Sequence, residues 1–240
     1  MDSPLHDAEL QRRLDAVRAQ RERLLAAHAD TPRVTLEGAA RRALACWQAA
    51  NRRIIVGLGG CPASGKTTAA GELARLINAG RAGLAAHLPM DGYHFTNAKL
   101  ERLGLDHIKG DRQTYEVAAF RDKLAAFKRN PGVHLTAPDY VRHIHEVVED
   151  AIAIEADTQI LVTEGIYVGL ARDAWAAVRG ALDLLFYVDT PPEECLARIA
   201  ARNRAAGRDE GTIRHKMHND LGFMAASLEI LGEADYVIRP

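Results

Sequence analysis

Aromatic residues make up only 5% of this chain, too few to furnish stacking platforms for single-stranded nucleic acid. Neither sign of charge is in excess. With 31 basic and 32 acidic residues the formal net charge is -1, so no global field draws in polynucleotides or anionic lipid, and any affinity for phosphate must be local. Long hydrophobic runs are missing as well. Nothing approaches the roughly 18 consecutive apolar residues that a membrane span requires, and the N-terminal residues lack the apolar segment of a secretory signal. Asp7, Glu9, Asp15 and Glu22 lie among the N-terminal arginines, which also argues against an organellar transit peptide. The expectation is a cytoplasmic protein that binds neither nucleic acid nor membrane. Cysteine is scarce too: Cys46, Cys61 and Cys195 are odd in number, widely spaced and form no C-x-x-C pair, which fits reduced thiols better than disulfides or zinc. His134, His143 and His145 are unaccompanied by the Cys or acidic spacing of a zinc site.

What is present fits one α/β domain with a helical extension, for which 240 residues suffice. Leu10, Leu14, Val17, Leu24 and Leu25 fall at helical spacing and predict a helix over 7–28. Thr31-Pro32 breaks it, and a second helix is expected over 35–51. Residues 1–50 are therefore read as an N-terminal helical extension that packs on the core or presents an apolar face to a second copy, leaving monomer and homodimer both open. Residues 51–240 form the main domain. Strands are expected at 52–58, 84–90, 159–163, 182–189 and 236–238, and helices at 96–103, 117–129, 172–178 and 191–205. That alternation predicts a parallel sheet of about five strands with helices on both faces. Thr190-Pro191-Pro192-Glu193 reads as a capping box with proline in the first turn, and Asp189 as an acid at the start of that helix.

Between the first of these strands and a helical pattern carrying Leu73, Leu76 and Ile77 lies Gly60-Cys61-Pro62-Ala63-Ser64-Gly65-Lys66-Thr67, which fits G-x-x-x-x-G-K-[ST]. Glycines let backbone N–H groups curl round phosphates while the following helix points its positive dipole end at them. Gly60, Ala63, Ser64, Gly65, Lys66, Thr67 and Thr68 are the expected nucleotide contacts. Lys66 would reach the β- and γ-phosphates and the Thr67 hydroxyl would ligate Mg²⁺. No N-K-x-D segment is present to read guanine, which counts against GTP. Cys61 within the loop is either a small filler or a thiol acidified by the helix N-terminus.

In sheets of this kind ligands collect at the carboxyl ends of the strands, so acids there are informative. Asp91 directly follows Leu88-Pro89-Met90; it is placed to accept the proton of an attacking hydroxyl, to bind Mg²⁺ or to cap a turn. Glu164 ends the run Ile160-Leu161-Val162-Thr163 and either holds Mg²⁺, directly or through water, or simply closes the strand. Arg198 and Arg202 share a helix face, with Arg204, Gly207 and Arg208 beyond. They form a phosphate-neutralising lid over 198–208 or a solvated basic helix end. Lys109 and Arg112 lie in a polar loop suited to acceptor or phosphate.

Together the loop, Met90-Asp91-Gly92-Tyr93-His94, Lys109-Gly110 with Thr114-Tyr115-Glu116, and Thr163-Glu164-Gly165-Ile166-Tyr167 resemble the phosphate-loop small-molecule kinases that include uridine kinase, phosphoribulokinase and type I pantothenate kinase. The resemblance is strongest to the bacterial nucleoside/nucleotide kinase-like branch, which includes fructose transport system kinases. It implies a five-stranded parallel sheet, ATP with Mg²⁺ and Asp91 as base; from the phosphate loop and the helix face, Lys66 and Arg202 are expected in the transfer machinery and Arg198 on the nucleotide. It also places Tyr93, His94, Lys109, Arg112, Tyr140, Glu164 and Tyr167 around a small hydroxyl-bearing acceptor, a sugar or sugar-containing compound. Pro138-Asp139-Tyr140 inverts the tyrosine and acid of the uridine kinase P-x-Y-D segment. Asn219-Asp220 suits the bacterial branch, although Leu221-Gly222-Phe223 replaces its usual proline-asparagine continuation. Pantothenate kinase-like activity and an ATP-driven switch are the alternative readings.

Overall fold

The computed structural model describes residues 8–141 and 143–239; Asp7, Arg142 and Pro240 lie outside them. The chain opens with α1 (Ala8–Ala27), a two-residue strand β1 (Arg33–Val34) and α2 (Leu36–Ala50), then runs through β2 (Ile54–Gly60), α3 (Lys66–Asn78), β3 (Ala85–Pro89), α4 (Asn97–Leu103) and α5 (Val117–Arg129). A hairpin of β4 (Leu135–Val141) and β5 (Glu146–Ile154) precedes β6 (Ile160–Glu164), the short α6 (Ala176–Arg179), β7 (Leu184–Val188), α7 (Pro192–Ala205), α8 (Glu210–Leu228) and β8 (Tyr236–Ile238).

Six strands form one wholly parallel sheet in the order β1-β8-β7-β2-β6-β3. β2, β6 and β7 are buried at every residue, as expected where helices cover both faces of a parallel sheet. One face packs on α2 and α3 through Ala39, Ala43, Ala69, Ala70 and Leu73, small side chains that let helix backbones come close. The other face packs on α1, α5, α7 and α8 through Leu10, Leu14, Phe120, Leu196 and Met217. The sheet has one strand more than expected: β1, at the edge beside β8, is too short to leave a periodic signal.

Several expectations need correction. The apolar face of α1 is spent inside the chain, where Leu10, Leu14 and Val17 are buried in the core shared with α8, and so it is not an open dimerisation surface. Asp189 is more than a helix-start acid: its side chain is fully buried and takes two hydrogen bonds, 2.8 and 2.9 Å, from Arg21 of α1. No capping box forms at α7. Pro191 occupies the cap position without a side-chain bond, because the Thr190 hydroxyl instead donates 2.8 Å to the carbonyl of Ser64. The expected helix at 172–178 is a 3-10 turn (Asp173–Trp175) leading into α6. His143 and His145 lie in the turn between β4 and β5, with His145 at φ 52.

Candidate active site

The phosphate loop leaves β2 and ends at the N-terminus of α3. Gly65, the cap residue of α3, has φ 92, and Ala63 takes φ 58, a left-handed conformation that costs an alanine energy and persists where the surroundings hold it. A Cβ on Gly60 would fall 2.8 Å from Ser64 Oγ and 2.9 Å from the Val188 carbonyl, so only glycine lets the loop close this tightly. Thr190 holds the loop through Ser64 O, and Arg198 Nη1 donates 3.2 Å to Ala63 O. Ser64 Oγ is buried without a hydrogen-bond partner, the kind of orphaned group that a phosphate oxygen satisfies. Lys66, 9% exposed, donates 3.3 Å to Cys61 O, and Thr68 stands exposed in the first turn of α3. Burial pushes the Cys61 thiol up despite its contacts with Ser227 and Tyr187, which leaves it a space-filling group rather than an acidified one. Beside the loop lies a cavity of about 330 Å³ lined by Arg21, Asp189, Thr190, Pro191, Arg198 and Arg239 among others.

Sheet register brings the acids to this loop. Leu58, Glu164 and Pro89 are level across β2, β6 and β3, so Glu164 and, two residues beyond Pro89, Asp91 stand at the same carboxyl edge. Glu164 is buried, and its Oε1 accepts from Thr67 Oγ1 at 2.9 Å. A hydroxyl and a carboxylate so paired are the oxygen donors Mg²⁺ takes. Among the described residues no cluster of three or more His, Cys, Asp or Glu is placed to hold a metal.

An aromatic wall faces the acids. Tyr115 is buried and its phenol is pushed well up, first by desolvation and then by the charge of Asp91, with Tyr167, Glu164 and Tyr140 adding to it. The His94 ring lies 4.1 Å from that of Tyr115 and 5.1 Å from that of Tyr140. Tyr167 meets Tyr115 edge-on at 5.8 Å and donates 3.0 Å to Gly110 O. Trp175 Nε1 donates 3.2 Å to Arg112 O, so both rings fix the 109–112 loop. Lys109 Nζ lies 5.2 Å from the Tyr140 ring centre. The structure thus brings His94, Lys109, Tyr140, Glu164 and Tyr167 together. Tyr93 packs on Phe120 at 4.8 Å and, with His94, Glu116, Glu149 and Asp150, lines a cavity of about 280 Å³. Arg112 is drawn to the rim, 3.4 Å from Asp173.

On α7, Arg198 pairs with Glu194, and the charge of Arg202 bears on Asp220 of α8. Asp220, to which the sequence alone assigns no role, stands beside Lys66, Arg202 and Lys216, its carboxyl nevertheless raised to about 6 by desolvation. The i, i+4 spacing of Lys216 and Asp220 is the signal that pointed there. Trp175 carries no sequence signal for the site, and Tyr115 enters only within the motif Thr114-Tyr115-Glu116.

A wholly parallel, helix-covered sheet with a phosphate loop on its central strand, and a hydroxyl–carboxylate pair and a further acid at the same edge, defines a phosphate-loop kinase fold and site. The sequence model of the phosphoribulokinase/uridine kinase family matches residues 55–220, and the chain belongs to that family. It is 29% identical to a pantothenate kinase of Rhizobium leguminosarum bv. trifolii, covering 88% of this chain and 66% of the relative. It is 28% identical to a Schizosaccharomyces pombe protein named "putative uridine kinase", over 71% of this chain and 76% of the relative. A solved structure from Silicibacter sp. TM1040, described as a "putative fructose transport system kinase", superposes with a TM-score of 0.73 at 25% identity, covering 86% of this chain and all of that one. No helix among the described residues is long and apolar enough to cross a membrane.

Proposed function

We propose that the protein is an ATP-dependent kinase that transfers the γ-phosphoryl group to a hydroxyl of a small metabolite, a sugar or sugar-containing compound. The observation that carries this reading is the register that sets Asp91 and Glu164 at one sheet edge, with Glu164 bonded to Thr67 of the phosphate loop. Gly60, Ala63, Ser64, Gly65 and Thr68 cradle the phosphates, Lys66 neutralises the β- and γ-oxygens, and Arg198 and Arg202 do so from α7, with residues 198–208 as a lid. The cavity lined by Arg21, Asp189 and Arg239 receives the base and ribose. Thr67 and Glu164 would hold Mg²⁺, which when bound offsets phosphate charge during transfer. Asp91 orients the acceptor hydroxyl and takes its proton, while His94, Tyr140, Tyr167 and the 109–112 loop enclose the acceptor and exclude water.

Residues 1–50 act in this reading as a brace for the catalytic domain. Pantothenate kinase-like activity is the second reading, favoured by the likeness to the Rhizobium leguminosarum bv. trifolii enzyme across most of the chain. The experiment is acceptor-dependent ADP release over sugars, nucleosides, pantothenate and glycerate, with the Asp91→Asn protein as blank. Release with a sugar supports the first reading and release with pantothenate the second. ATP hydrolysis indifferent to every small acceptor but raised by a protein partner would replace both with a switch. Lys66→Ala should cut turnover by several powers of ten.

A further inference from the structure

The phosphate loop rests on the end of β7, and the residue that pins that end comes from the N-terminal extension. Val188, Asp189 and Thr190 are all buried. On one side the loop packs against them: a Cβ on Gly60 would stand 2.9 Å from the Val188 carbonyl, and Ser64 O accepts 2.8 Å from Thr190 Oγ1. On the other side Arg21 of α1 donates from Nε and Nη2 to the two oxygens of Asp189, at 2.8 and 2.9 Å. A two-pronged pair of this kind fixes the carboxylate in orientation as well as in place.

Asp189 and Thr190 are also the joint between β7 and α7, which begins at Pro192. α7 carries Arg198, whose Nη1 donates 3.2 Å to Ala63 O. Two side-chain tethers on loop carbonyls, Thr190 on Ser64 and Arg198 on Ala63, therefore leave from the segment that Arg21 holds. Ala63 needs holding, because its φ of 58 is a left-handed conformation that an alanine keeps only under constraint. Other supports of the joint are weaker: Asp189 N donates 2.8 Å to Ile238 O, which fixes backbone but not side chain, and Arg239 reaches Asp189 only at 3.7 Å from a mostly exposed position. We propose that Arg21 is a positioning residue for the phosphate loop, acting through Asp189 and Thr190 to keep Ser64 and Ala63 in the conformation that receives a triphosphate. Nucleotide affinity then depends on a side chain outside the family match at 55–220. This rests on reading the loop as an ATP site. By linkage, bound nucleotide strengthens the docking of α1 by the same factor.

The test is calorimetric titration of the full-length protein with ATP and Mg²⁺, at a temperature where far-UV circular dichroism shows every variant folded. Arg21→Ala is expected to weaken ATP at least about tenfold. Adding Asp189→Asn relieves the unpaired carboxylate and recovers stability, yet should not recover the affinity. Thr190→Val should weaken ATP too, and Arg21→Ala on top of it should add no further loss, because both substitutions break one chain of contacts. Gln20→Ala removes a different anchor of α1, the 3.0 Å bond from Gln20 Nε2 to Ala225 O, and should leave ATP affinity unchanged. Four results would each overturn the proposal: unaltered affinity in Arg21→Ala, affinity that returns with stability in the Asp189→Asn pair, losses that multiply in the Thr190→Val pair, or an equal loss with Gln20→Ala. All four leave the kinase reading standing. Absence of ATP binding by the unsubstituted protein would overturn both together.

Discussion

Arg21 and Asp189 stand 168 positions apart in the chain and meet through two hydrogen bonds. Burial pulls the guanidinium down, but the bond and charge of Asp189 outweigh it, and Arg21 ends above its ordinary value. Arg239, 3.7 Å away and largely exposed, is a poor substitute. Arg21→Ala should therefore leave a buried carboxylate under-paired and lower the unfolding free energy by about 3 kcal/mol in urea titration, and Asp189→Asn in the same chain should recover part of the loss. Asp220 behaves in the opposite sense. Its folded value, about 6, lies above the ordinary 3.8, so folding favours the protonated acid. That contribution is complete below pH 3.8 and is lost as pH rises through 6, so at neutral pH the ionised carboxylate costs up to about 3 kcal/mol. Asp220→Asn should raise thermal stability at pH 7.5 and leave it nearly unchanged at pH 3.5; an equal gain at both values would deny the strained acid. Asp91→Asn should retain ATP affinity while transfer falls by roughly 10²–10⁴. Equal loss of both would mark Asp91 as a metal ligand.

At the scale of elements, β2, the phosphate loop and α3 act as one unit whose closure depends on Gly60. Gly60→Ala should abolish nucleotide binding in equilibrium titration while leaving the far-UV spectrum intact, because the added methyl meets a backbone carbonyl that cannot move aside. This unit was legible in the sequence because motif, strand and helix arrive in a fixed order, and the limits of α5 and α7 followed from apolar spacing and proline. The β4–β5 hairpin was not. Its side chains are mostly half-buried or exposed, and a register shift between Ala137 and Asp139 breaks the alternation that marks a strand. α8 was missed although Ile213, Met217, Leu221, Met224 and Leu228 lie on its buried face, with Asp209 as its cap, accepting 3.0 Å from Thr212 N. Its polar residues mask the pattern. The strand-end acids were found because sheet topology alone places them.

Across the whole molecule, α1, β1 and α2 lie outside the family match at 55–220, yet they cover both faces and one edge of the sheet. α1 reaches the phosphate loop's surroundings through Asp189, beside the cavity proposed for the nucleotide base. The chain spans 66% of the pantothenate kinase it resembles and all of the solved Silicibacter sp. TM1040 chain, and the acceptor contacts proposed above lie in the hairpin and the 109–112 loop. The most direct test of phosphoryl transfer follows the product itself: phosphorus NMR of the unsubstituted protein with ATP, Mg²⁺ and the acceptor panel, beside Lys66→Ala and Asp91→Asn. The account predicts a new phosphate-ester resonance growing in step with ADP for the unsubstituted protein and for neither variant. ADP appearing with inorganic phosphate alone, whatever the acceptor, would contradict it.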